Sequence, residues 1–88
     1  MKKKIVIELK LFMFFKKFLP GNASEGKTAF EIEEGATFRD LLDRLGMPVD
    51  EDKIVVINGI SHKQSEKTNA IRLKHGDVVA IFPPIAGG

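Results

Sequence analysis

Lys4-Ile5-Val6-Ile7-Glu8-Leu9-Lys10-Leu11 alternates along its length. Successive strand residues point to opposite faces of a sheet, so Ile5, Ile7, Leu9 and Leu11 share one face and Lys4, Val6, Glu8 and Lys10 the other. The segment is expected to be a half-buried strand that begins almost at residue one. Val78-Val79-Ala80-Ile81-Phe82 is a second apolar run near the other end of the chain, set off by the tight turn His75-Gly76-Asp77. Pro83-Pro84 follows it, and proline has no amide donor and a fixed φ, so the sheet stops there. Two such strands, one at each end of a short chain, are expected to pair in the middle of one sheet.

The sequence between them supplies the rest of the layer. Leu11, Phe14, Phe15, Phe18 and Leu19 fall at the spacing of an apolar helical stripe, which predicts a short helix with these phenylalanines in the core. Pro20-Gly21 ends it, and residues 22–26 form a polar loop. Thr28, Phe30 and Ile32 alternate with Ala29, Glu31 and Glu33 as a second strand. Thr37 can cap the main helix, with Asp40 placed to reach back to the cap amide. Phe38, Leu41, Leu42 and Leu45 form its buried stripe, and Gly46 and Pro48 end it. Ile54-Val55-Val56-Ile57 reads as a strand covered on both faces or central in the sheet. Asn58-Gly59 is a strong signal for a two-residue hairpin turn, with Ile60 to His62 returning as a short strand. Lys63 to Asn69 is polar and expected to be a surface loop.

A main helix, a short helix and a mixed sheet of about four to five strands make an α+β fold of two layers. The central pairing of first and last strands suggests the β-grasp, or ubiquitin-like, sheet. The domain is expected to span 1–83, with 84–88 as a flexible tail.

Composition narrows the chemistry. The chain has 88 residues, 43% hydrophobic and 30% charged, as in a folded single domain. A net charge of +2 is too small for a nucleic-acid footprint. With no cysteine, thiolate metal sites, disulfides and cysteine nucleophiles are excluded. His62 and His75 have no partner at ligand spacing and are expected to be exposed loop residues. Lys2-Lys3-Lys4 imitates the start of a signal peptide, but Glu8 and Lys10 interrupt the apolar region that should follow. No apolar stretch approaches the ~20 residues of a membrane span. A cytoplasmic location is the expectation, with neither membrane nor nucleic acid as partner.

Glu31, Glu33 and Glu34, and Asp50, Glu51 and Asp52, are acidic clusters that suit a solvated surface better than paired acid–base work. No Gly-rich phosphate loop is present, and Ser24, Ser61 and Ser65 have no triad pattern around them. Phe12 and Phe82 stand apart from the helical stripe, and an exposed apolar patch at either marks a partner surface. The remaining candidate is Phe82-Pro83-Pro84-Ile85-Ala86-Gly87-Gly88. Pro83 and Pro84 stiffen the exit, Ile85 can anchor, and Ala86, Gly87 and Gly88 are slim enough for a narrow channel. A carboxylate on Gly88 is ionised at neutral pH, its pKa being about 3.5, and it reacts as an electrophile only once its oxygen has become a good leaving group. Nothing in the chain performs that step, so the domain is a substrate or carrier, with no autonomous catalytic site.

These residues resemble the MoaD/ThiS group of ubiquitin-like sulfur carriers, and within it the small subunits of molybdopterin synthase. The resemblance covers the opening from Leu11 to Leu19, the helix entry Glu34-Gly35-Ala36-Thr37, the Asn58-Gly59 hairpin and, most specifically, Leu73 through Gly88. Thiamine-branch carriers also end in Gly-Gly but usually lack the Phe-Pro-Pro brace. The resemblance implies that no cofactor is bound and that a partner of the ubiquitin-activating type (MoeB/ThiF-like) uses ATP to adenylate Gly88. A sulfur donor then makes the thiocarboxylate. Gly87, Ala86, Ile85, Pro84 and Pro83 would guide the tail into a MoaE-like large subunit that builds the molybdopterin dithiolene for molybdenum or tungsten. Phe82 would belong to the partner surface. A thiamine-branch carrier, or a protein modifier joined to lysines through Gly88, shares the same activated terminus.

Overall fold

The computed structural model describes residues 3–20 and 26–84. The chain runs through β1 (Lys4–Leu11), a 3-10 helix (Met13–Phe18), β2 (Lys27–Glu33), α1 (Phe38–Leu45), β3 (Ile54–Ile57), β4 (Ile60–Lys63), α2 (Glu66–Asn69) and β5 (Val78–Phe82). The sheet has five strands in the order β2-β1-β5-β3-β4. β1 and β5 lie side by side in parallel, Glu8 opposite Val78 and Leu11 opposite Ile81, while all other neighbours are antiparallel. This is the expected α+β β-grasp arrangement, with the chain's last strand at the centre of the sheet.

One face of the sheet builds the core. Ile5, Ile7, Leu9 and Leu11 of β1, Ile32 of β2, Val55 of β3, and Val79 and Ile81 of β5 join Phe38, Leu41 and Leu42 of α1 in a single buried cluster. α1 is fixed at both ends as its sequence requires. The Thr37 hydroxyl accepts from the Asp40 amide at 3.3 Å, and the Asp40 carboxylate accepts from the Thr37 amide at 2.9 Å, so two orphan donors are satisfied together. Gly46 closes the helix at φ +76°. At the β3–β4 hairpin Asn58 and Gly59 both have positive φ, 51° and 85°, as a two-residue turn matched to strand twist needs.

Three expectations need correction. Residues 11–19 do not make an amphipathic α-helix: Leu11 stays in β1 and only Met13–Phe18 coil, as a 3-10 helix. With three residues per turn, Phe15 and Phe18 share a face, and Phe14 is turned out to solvent at 57% exposure. Lys63–Asn69 is not a plain loop. Lys63 ends β4, Ser65 caps α2 by accepting from the Thr68 amide at 3.2 Å, and Thr68 and Asn69 are buried. β3 lies inside the sheet, between β5 and β4, which is one of the two arrangements its apolar run allowed; Val55 and Ile57 are buried, while Ile54 is exposed. His62, finally, is half-buried within β4 rather than free in a loop.

Candidate functional site

Among the described residues no helix covers the second face of the sheet, and the strand register shows what it presents. Lys27, Lys10, Ala80, Val56 and Ser61 make one row across β2, β1, β5, β3 and β4. The next row toward the chain's exit holds Phe82, Ile54 and Lys63. Phe12 extends this row: its amide donates to the Ile81 carbonyl at 3.2 Å, carrying the β1 path one residue further along β5. The rings of Phe12 and Phe82 stack with centroids 4.3 Å apart and planes 5° from parallel. The result is an apolar strip of Phe12, Phe82, Ile54 and Val56, bordered by Lys10, Lys27 and Lys63.

The tail begins at this strip. β5 ends at Phe82, Pro83 is buried and Pro84 is exposed, so the backbone turns from body to solvent between the two prolines. Phe82, Pro83 and Pro84 are therefore brought together with an apolar surface. Ile85, Ala86, Gly87 and Gly88 lie outside the described residues. Phe12, one of the two phenylalanines set apart from the helical stripe, is the ring that holds Phe82 in place. No sequence signal identified that partnership, because it depends on the parallel β1–β5 register.

Elsewhere the polar residues have structural work. Lys53 is 3% exposed, and nothing in the run Asp50-Glu51-Asp52-Lys53 marks it as interior. Its ammonium donates to the carbonyls of Pro48 at 3.1 Å, Val49 at 3.3 Å and Glu51, and to Gln64 Oε1 at 3.2 Å. Burial pulls its pKa below the ordinary lysine value, against the opposing pull of Glu51, Asp52 and Asp50. Gln64 passes the network on to Asn69 at 3.0 Å, so Lys53 ties the α1–β3 connection to α2. His75, exposed in its turn, accepts from the Val6 amide at Nδ1, 3.1 Å away. A shallow groove of about 510 Å³ lies on the open face beside it, lined by Val6, Glu8, Lys27, Ala29 and Val78 among others, and no residue of the tail root reaches it. Among the described residues, no group of three or more His, Cys, Asp or Glu side chains is placed to hold a metal ion. No helix among them is long and apolar enough to cross a membrane.

The site is thus a surface and an emerging strand end, not a pocket. Known proteins give it a context. The sequence model of the ThiS family matches residues 18–88, and no curated protein sequence matches the chain. Among solved structures, the HVO 2177 protein of Haloferax volcanii aligns with a TM-score of 0.68 at 24% identity, over 97% of this chain and 88% of its own. A Pyrococcus furiosus protein assigned as molybdopterin converting factor subunit 1 aligns with a TM-score of 0.64 at 25% identity, over 92% of this chain and 99% of its own. Small archaeal modifier protein 1 of Methanosarcina acetivorans aligns at 0.65 and 21% identity, over 98% and 99% of the two chains. With a β-grasp fold and a family match that runs over residues 18–88, the chain belongs to the ThiS family, of the ThiS/MoaD ubiquitin-like type.

Proposed function

We propose that this protein is a sulfur carrier of the molybdopterin branch and that Gly88 is its working residue. An oxygen of the Gly88 carboxylate attacks the α-phosphate of ATP on an adenylating enzyme, and pyrophosphate leaves. A sulfur nucleophile from a donor then displaces AMP from the acyl carbon, leaving a thiocarboxylate. The sulfur passes to a pterin precursor on a MoaE-like subunit. Ile85 seats the tail in each partner, Ala86 and Gly87 let it enter a narrow channel, and the Phe12–Phe82 strip meets the partner's surface.

The observation that carries this proposal is the tail root: a sheet that stops at Phe82, a buried Pro83 and an exposed Pro84 beside an apolar strip. That arrangement delivers a slender terminus to a partner while the body stays folded. The resemblance at 25% identity to the Pyrococcus furiosus converting-factor subunit and the Phe82-Pro83-Pro84 brace support the molybdopterin branch over the thiamine branch.

The test is intact-mass analysis after incubation with an adenylating enzyme of the ubiquitin-activating type from the same genome, ATP and a sulfide donor. One O-to-S exchange at Gly88, roughly 16 Da heavier, is expected. Unchanged mass across several competent enzymes would overturn the carrier proposal. Isopeptide adducts on lysines in place of the exchange would assign the chain to the modifiers, and sulfur accepted by a thiazole synthase alone would assign it to the thiamine branch.

A further inference from the structure

We propose that Met13 and Phe14 form a second anchor for the enzyme that adenylates the tail, fitting an apolar socket edged with carboxylates on that enzyme. This rests on the proposal that such an enzyme receives the terminus. Met13 and Phe14 are 68% and 57% exposed. They are adjacent in the chain, whereas exposed apolar residues on a soluble surface are commonly scattered singly.

The backbone forces them outward. Phe12 is committed to the stack with Phe82, and Phe15 is fully buried in the core. Between them Met13 takes φ +56°, a left-handed conformation that is uncommon for a long side chain. Phe14 leans edge-on against Phe15 with centroids 4.9 Å apart, which holds the exposed ring in place. Strain of this kind concentrates where a segment has a task besides packing.

Two observations identify the occupant. The knuckle continues directly from Phe12, so a protein that covers the tail root reaches Met13 and Phe14 without a gap. The charge next to it is mostly of one sign: Lys16 and Lys17 follow it directly in the stretch between Glu8 and Glu25, which contains no acidic residue, and Lys27 stands opposite Lys10, whose ammonium is paired with Glu8 at 3.3 Å. Lysines around an apolar tip attract a carboxylate-edged socket and speed its encounter at low salt. An anionic lipid surface offers similar chemistry, but it gives no reason for the tip to sit beside the tail root.

The experiment is ATP–pyrophosphate exchange by the same adenylating enzyme, with the full-length carrier as varied substrate. Phe14→Ser should raise KM for the carrier about tenfold with kcat little changed, as loss of an apolar anchor does. Met13→Gly should raise KM while leaving Tm unchanged or higher, because glycine relaxes at positive φ; a merely structural role would not separate the two readouts. Lys16→Glu with Lys17→Glu should raise KM and flatten its salt dependence. Removal of Gly87 and Gly88 is the control. If that abolishes exchange and Phe14→Ser leaves KM unchanged, the anchor is refuted and the carrier proposal stands. If exchange survives the removal, the carrier proposal itself fails. Wild-type binding to phosphatidylglycerol vesicles that Phe14→Ser abolishes, with KM unaltered, would assign the tip to lipid and overturn the anchor.

Discussion

Phe12 and Phe82 lie ring on ring, 4.3 Å apart and 5° from coplanar, joining the residue just after β1 to the last residue of β5. Both are half-buried, so the pair contributes to stability and to the surface around the tail. Phe12→Ala and Phe82→Ala should each cost about 1–2 kcal/mol in urea unfolding, with a coupling of about 0.5–1.5 kcal/mol in the double-mutant cycle. Phe82→Asp should weaken binding to the adenylating enzyme about tenfold; an unchanged affinity would show that this strip is not the interface.

Lys53 tests the interior network. Lys53→Ala leaves its carbonyl acceptors and Gln64 without their donor, and a loss of about 2–4 kcal/mol is expected by chemical denaturation. Its pH dependence has a definite sign. Burial holds the folded-state pKa below the ordinary 10.5, so between the two values the unfolded chain binds more protons. Stability attributable to this group therefore rises with pH, as the penalty of the buried charge lifts on passing the folded value and is gone above about 10.5. The difference between wild type and Lys53→Met, followed across alkaline pH, should show that gain in the wild type alone.

Asn58 links the hairpin turn to the start of β5. Its amide nitrogen donates to Asp77 at 2.9 Å, and its side-chain oxygen accepts from the Val78 amide at 2.8 Å. Asn58→Gly keeps the positive φ but loses both bonds, whereas Asn58→Ala loses the bonds and strains the turn. Thermal unfolding should place the glycine variant about 1 kcal/mol below wild type and the alanine variant about 2 kcal/mol below.

Extending the chain by one alanine beyond Gly88 should leave Tm unchanged and abolish thiocarboxylate formation, since the buried cluster is built by residues from Ile5 to Ile81. A fully charged extended protein, seen by intact mass, would refute the proposed role of Gly88.

The sequence displayed most of the sheet because alternation has a single period and the core face of β1 follows it without exception. α1 was equally legible, since Thr37, Asp40 and Gly46 state its limits in local chemistry. The segment Met13–Phe18 was not. Its apolar residues fit a 3.6-residue period as well as a three-residue one, and the latter goes with packing against both β1 and β5, which buries Phe15 and leaves Phe14 outside. Lys53 was hidden for a related reason: its acceptors are mostly backbone carbonyls, which no side-chain pattern announces. At the site, Pro83 and Pro84 marked the end of the sheet correctly. The Phe12–Phe82 contact that frames that end came from register, a long-range property beyond any local motif.

The parallel pairing of β1 with β5 has a mechanical consequence. The beginning of β1 and the end of β5 point in opposite directions along one ladder, with Glu8 to Leu11 set against Val78 to Ile81. Tension on the tail, held against the start of the chain, would load those hydrogen bonds in shear, all at once, rather than peel them apart singly. A pull between those two ends is therefore shared across the whole ladder.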